Sequence, residues 1–170
     1  HAPLVTGRRE LIDALKALGA TARPGDEGAR IRIGTIAEWP RGTAHLPDPR
    51  ADRPQAYALS VTTSEVGETT IAIRGSDPLG AYYGIRTLIQ LLDRTPEGVT
   101  VRQAEIQDWP TFTFRLFKGQ CWYYRDNLMF TRWAPQFKWN VFGPCYTDCP
   151  DWRDPPETYK DMIARACKTA

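Results

Sequence analysis

The chain has 170 residues, of which 42% are hydrophobic, and its net charge is +2 at pH 7. That length suits one domain, or a small domain followed by part of another. The low net charge and the lack of a basic run argue against nucleic-acid binding. The longest apolar stretches are far too short to cross a bilayer. We therefore expect neither a nucleic acid nor a membrane as a partner.

Aromatic residues and cysteines are concentrated in the last part of the chain. Fifteen of the 19 aromatic residues follow residue 104, and so do all four cysteines. Such a shift in composition indicates a change of domain. We place the boundary near 103–109 and predict one domain over residues 1–104 and the beginning of a second over residues 105–170.

The pattern of the first segment predicts a small α/β layer. Leucines at helical spacing predict a first helix that ends at Gly19. Alternating apolar residues predict strands, and a turn pattern predicts a hairpin. The predicted strands are 29–34, 56–62, 69–74 and 99–102, with the hairpin turn at 65–68. We expect a mixed sheet with helices on one face, and we find no chemistry in this segment.

A second helix of this segment begins at Asp77, a good N-cap residue, with Pro78 at the first helical position. Gly80 and Gly84, four residues apart, share one face of this helix. Glycine weakens a helix by roughly 1 kcal/mol relative to alanine. We therefore expect the two glycines to let the helix backbone approach the sheet closely.

The second segment predicts alternating strands and helices. The predicted elements are a strand at 111–117, a helix at about 128–138 with Pro135 inside it, a strand from Val141 and a helix that opens at Asp154. This βαβα order is typical of a parallel α/β fold. Two such units are about a quarter of a (β/α)8 barrel and cannot close one. We expect the remainder of the barrel, or a partner chain, to cover the exposed strand edge.

Three residues of the second segment are candidates for substrate binding: Arg115, Trp122 and Asp148. A buried arginine on a strand is costly unless it is paired. Arg115 therefore either grips sugar hydroxyls or a carboxylate, or forms an ion pair with Asp108 or Asp148. Asp148 either hydrogen-bonds a sugar or pairs with Arg153 in its loop. Trp122 offers an aromatic face either to a sugar or to packing between the domains.

The four cysteines do not form a recognisable site. Cys145 and Cys149 have a spacing that suits a metal, but neither a nearby histidine nor a second C-x-x-C motif accompanies them. Cys121 and Cys145 follow neighbouring predicted strands, so the sequence is compatible either with a disulfide between them or with two free thiols. A cysteine nucleophile needs a basic partner, and none is visible. We expect no metal, no cofactor and no catalytic residue in this chain.

Three stretches of the chain resemble glycoside hydrolase family 20 and its relatives, which include family 84. Residues 80–92 match the pattern G-x-x-Y-G-x-x-T-L-x-Q-L-L of the small N-terminal domain. Residues 106–115 are similar to the I-x-D-x-P-x-F-x-x-R entry into the catalytic barrel. Residues 138–153 are similar to K-L-N-x-x-x-x-H-L-T-D-D-Q-x-W-R, with Cys145 and Cys149 in place of the family's histidine and second aspartate.

The resemblance implies the N-terminal domain and the start of the TIM barrel of a β-N-acetylhexosaminidase, with Arg115 gripping sugar hydroxyls. In that family the acetamido oxygen of the substrate is the nucleophile, and a glutamate of a later acidic pair is the acid. No position of this chain matches that pair, so we expect the chain alone to be inactive. The two cysteine departures favour an alternative, a non-catalytic carbohydrate-binding or scaffold protein of the same fold. We expect a secreted or periplasmic protein, although the sequence shows no signal peptide.

Overall fold

A computed structural model describes residues 2–22, 28–39, 48–119, 133–144 and 161 of the chain. The chain divides into two compact units, His1–Thr113 and Phe114–Ala170. In the described ranges no helix combines the length and the apolar character that crossing a bilayer requires.

The first unit contains two helices and six strands within its described residues. In chain order they are α1 (Ala2–Ala17), β1 (Arg30–Thr35), β2 (Tyr57–Thr63), β3 (Thr69–Gly75), α2 (Pro78–Leu91), β4 (Leu92–Thr95), β5 (Gly98–Val101) and β6 (Ala104–Asp108). Four strands form a sheet in the order β1-β3-β2-β6. Since β1 is parallel to β3 and the other pairs are antiparallel, the sheet is mixed, as the sequence predicts. Strands β4 and β5 form a separate antiparallel hairpin.

The core lies between one face of this sheet and the two helices. Alternate residues of the two central strands point into it, and the register places Leu59 opposite Ile73 and Val61 opposite Ile71. All four side chains are at most 3% exposed. Leucines of α1 and the inner face of α2 belong to the same cluster. The two central strands and the two helices therefore share one continuous core.

Helix α2 is placed by its N-cap and by its glycines, as predicted. One Asp77 carboxylate oxygen accepts the N–H of Gly80 and the other accepts the N–H of Gln55, each at 2.7 Å. A Cβ on Gly80 would collide with the carbonyl oxygen of Ala56. A Cβ on Gly84 would collide with the Ile73 side chain and lie 3.1 Å from the ring of Tyr57. Only glycine allows α2 to lie this close to the sheet.

Two strands of the first unit were not predicted. At Leu92 the extended backbone ends α2 and begins β4. Strand β6 is five residues long and contains one large apolar residue, Ile106, so its local strand signal is weak. It is a strand because it pairs with β2 at the edge of the sheet, with Ile106 opposite Leu59.

Within its described residues the second unit contains two short parallel strands, β7 (Leu116–Gly119) and β8 (Val141–Pro144). The strand predicted at 111–117 is wrong at its start, because only residues from 116 onward face β8. Before β8 the described residues form a 3-10 helix, Ala134–Phe137, where the end of an α-helix was predicted. Pro135 in its first turn lacks the N–H that a continuing helix needs. The predicted final helix lies outside the described residues except for Asp161.

Candidate functional site

Arg115 is the candidate binding residue that falls within the described part of the chain. Trp122 and Asp148 lie outside the described residues, as do all four cysteines. Arg115 is half-buried and directly precedes β7. The structure therefore allows the surroundings of one of the three candidates to be described.

Both main-chain groups of Arg115 are held by the residues that open β8. The N–H of Arg115 donates to Oδ1 of Asn140 at 2.9 Å. The carbonyl of Arg115 accepts the N–H groups of Asn140 and Val141, each at 3.2 Å. A single asparagine thus uses its side chain and its main chain to fix the point where the two parallel strands begin.

The side chain of Arg115 is oriented by Lys138. Its Nε donates to the carbonyl oxygen of Lys138 at 2.6 Å. Lys138 has a φ of 60° and ends the 3-10 helix, where its N–H donates to the Pro135 carbonyl at 3.0 Å. This left-handed turn is uncommon for a residue other than glycine. In this turn the Lys138 carbonyl oxygen lies where the Arg115 guanidinium donates to it. This hydrogen bond sets the direction of the Arg115 side chain before any ligand binds.

These contacts bring together three positions of the motifs identified in the sequence: Arg115, Lys138 and Asn140. Their relation was missed, because it depends on β7 and β8 being neighbours. The polar Asn140 directly before an apolar strand was the signal. A guanidinium carries its N–H donors in a planar fork, which suits paired oxygens. The sugar contact of Arg115 itself stays a prediction.

A second polar cluster lies between α1 and α2 in the first unit. Nη1 of Arg86 donates to Oε2 of Glu10 at 3.0 Å, and the Arg86 side chain is 10% exposed. Burial, with Glu10 nearby, raises the pKa of the Tyr82 hydroxyl well above its ordinary value. This ion pair joins two helices that also share apolar contacts, so we assign it to packing. Among the described residues, no group of three or more His, Cys, Asp or Glu side chains is placed to hold a metal.

A hydrogen-bonded link in the first unit was also missed. The Tyr57 hydroxyl lies 2.7 Å from Oγ1 of Thr87 and donates to Oδ2 of Asp108 at 3.2 Å. Thr87 and Asp108 are the threonine and the aspartate of the two motifs in the first unit. The available signal for this link was that Thr87 and Asp108 are polar residues at the edges of apolar sequence patterns.

Residues 6–109 match the family model described as glycosyl hydrolase family 20, domain 2. The chain belongs to this family. The matched range covers the helices and strands of the first unit from within α1 to just beyond β6. No curated protein matches the sequence closely enough to count as a relative.

Solved structures with the same fold come from families 20 and 84. CpGH84B is 23% identical, with a TM-score of 0.72, over 96% of this chain and 29% of its own. The GH20 exo-β-N-acetylglucosaminidase of Vibrio harveyi matches as an inactive mutant, at 20% identity and a TM-score of 0.64. Its complex with N-acetylglucosamine matches at 18% and 0.63. Both alignments cover 89% of this chain and 22% of that protein, so the chain spans well under half of the proteins it matches.

Proposed function

We propose that the chain supplies domain 2 and the first two βα units of the barrel of a β-N-acetylhexosaminidase-like glycoside hydrolase. The family match supports the first part of this proposal. The parallel pairing of β7 with β8 carries the second part. Neighbouring parallel strands need a crossover connection, usually through a helix, and this is the repeating step of a (β/α)8 barrel.

The proposed substrate is a glycan that contains N-acetylhexosamine. The support is the matched Vibrio harveyi enzyme, an exo-β-N-acetylglucosaminidase whose structure contains N-acetylglucosamine. In this proposal Arg115 binds sugar hydroxyls through its guanidinium group, while Lys138 and Asn140 hold it in position. Trp122 and Asp148 complete the sugar contacts. The acid–base chemistry needs a carboxylic acid near the glycosidic oxygen, and we assign it to a later strand of the complete barrel.

The role of Arg115 is tested in the product of the complete reading frame. Arg115→Lys keeps the charge but loses the planar fork. We expect kcat/KM for a chromogenic N-acetyl-β-glucosaminide to fall at least tenfold, the factor typical of one lost hydrogen bond to a charged group. The matched control is Arg32→Lys at an exposed position of β1 in the first unit, which should leave kcat/KM unchanged. Equal values for the two variants would remove Arg115 from the sugar site.

A second candidate function is a non-catalytic carbohydrate-binding or scaffold protein. Cys145 and Cys149 favour it, since they replace the histidine and second aspartate of the family motif. An Asp-Glu pair on a later strand of the reading frame would support the enzyme, and its absence would support the binding protein. The proposal includes a secreted or periplasmic location, which immunodetection in separated medium, periplasm and cytosol would test.

A further inference from the structure

The last two residues of β6 and the residue that follows are contacted by two other parts of the first unit, residues 48–50 and β2. Nε2 of Gln107 donates to the carbonyl oxygen of Asp48 at 2.5 Å. Oδ2 of Asp108 accepts the Tyr57 hydroxyl, as described above. The ring of Trp109 lies under Arg50, with the guanidinium carbon 5.1 Å from the ring centroid. We call Gln107, Asp108 and Trp109 the exit anchor, because the chain leaves the matched domain at residue 109.

The contact to Asp108, on the core side of the sheet, comes from a buried side chain. Tyr57 is 2% exposed, and its ring lies directly beneath Gly84 of α2. Its hydroxyl bridges Thr87 on α2 and Asp108 on β6. The Tyr57 hydroxyl is buried and has one partner on α2 and one on β6. It therefore belongs to a small buried network that constrains the Asp108 carboxylate. The end of β6 is therefore tied to the helix as well as to the strand beside it.

The contact on the outer face of the sheet depends on a buried cation. Arg74 on β3 is 5% exposed, pairs with the Asp48 carboxylate and donates to the Trp39 carbonyl at 3.0 Å. Pro49 beside this pair is fully buried. The segment that holds Gln107 and Trp109 is thus itself fixed to the sheet.

The residues that follow are different in character. Residues 111–114 are exposed and lie in no strand or helix, with Phe112 72% and Phe114 65% exposed. Domain boundaries usually fall in exposed segments that few contacts cross. Here the last residues of the domain are held from both faces of the sheet, and the exposed segment begins two residues later.

We propose that the exit anchor is a preformed mount, through which domain 2 fixes the point and direction from which the chain continues. This gives the domain a positioning role that needs no ligand of its own. It goes beyond the proposed function and does not depend on it. A protein that proves inactive on sugars would leave the proposal standing, since the anchor lies entirely within the first unit.

Amide hydrogen exchange of the 170-residue chain tests the mount. In the unchanged chain we expect exchange averaged over residues 107–109 to be slower than exchange averaged over residues 111–114. Tyr57→Phe removes only the hydroxyl. It should speed exchange at 107–109 about fivefold relative to the amides of β3, the factor for one ordinary hydrogen bond. Arg50→Ala should speed exchange at Trp109 about twofold, since the exposed cation–π contact is weaker.

The matched control is Tyr83→Phe, which removes a hydroxyl from an equally buried tyrosine of α2. Normalising to β3 separates a local effect from a general loss of stability. The proposal fails if 107–109 exchange as fast as 111–114 in the unchanged chain. It also fails if Tyr57→Phe and Tyr83→Phe give the same normalised rates.

Discussion

Replacing Gly80 by alanine tests how α2 is placed on the sheet, because two effects of opposite sign compete. In an exposed helix the change would stabilise by roughly 1 kcal/mol. Here the new Cβ would collide with the carbonyl oxygen of Ala56, a fully buried residue whose carbonyl also accepts the Ser76 N–H at 2.8 Å. The obstacle is main chain and cannot rotate away, so the start of α2 must shift. Overpacking costs about 1–3 kcal/mol, and with this obstacle we expect a net loss of about 1–2 kcal/mol.

Urea unfolding of the chain measures this loss as a lower midpoint at an unchanged slope. The control is Gly34→Ala on β1, whose Cβ would lie 3.7 Å from Oε2 of Glu38 and 3.8 Å from the Trp39 ring. These are ordinary contacts, so we expect a change within about 0.5 kcal/mol. A Gly80→Ala protein more stable than the unchanged chain would refute the close approach of α2 to the sheet.

Three further variants test other contacts. Asp77→Ala should destabilise the first unit by about 1–2 kcal/mol in urea unfolding, because it removes the cap of α2, and Asp77→Asn, which keeps one acceptor, should lose less. Asn140→Ala should speed exchange of the Arg115 amide about fivefold, while Asn140→Asp should not. Equal rates in the two variants would contradict the hydrogen bond from the Arg115 N–H to the Asn140 side chain. The raised pKa of Tyr82 favours its neutral form in the folded state. The contribution of this pKa shift to the free energy of unfolding is therefore complete below pH 10 and is lost as the pH rises further. In urea unfolding from pH 8 to 11, the unchanged chain should lose stability faster than Tyr82→Phe above pH 10, and parallel curves would contradict the shift.

Elements with strong local signals were predictable from the sequence. Asp77 followed by Pro78 determines where α2 begins, because capping needs only neighbours in the chain. The β-branched and apolar residues of 56–62 and 69–74 predicted the strands β2 and β3, because this signal is local to each segment. Gly80 and Gly84 predicted a close approach, since two weak helix formers on one face need a reason in packing.

Other features depend on partners distant in sequence. The short β6 contains one large apolar residue, Ile106, and becomes a strand through its pairing with β2. Strand β7 begins at Leu116 and not at Thr111, because its length is set by β8. Arg115 could be identified as a candidate from its motif. Its hydrogen bonds to Asn140 could not be predicted, because they also depend on the pairing of β7 with β8. A motif identifies such residues, whereas their contacts follow only from the strand order.

The most direct test of the proposed function is hydrolysis of a chromogenic N-acetyl-β-glucosaminide, measured for the product of the complete reading frame and for the 170-residue chain in parallel. We expect turnover by the complete product and none by the chain alone, because we assign the acid pair to a later strand of the proposed barrel. Turnover by the chain alone would contradict that assignment. A folded complete product without turnover would contradict the enzyme and leave the carbohydrate-binding or scaffold protein.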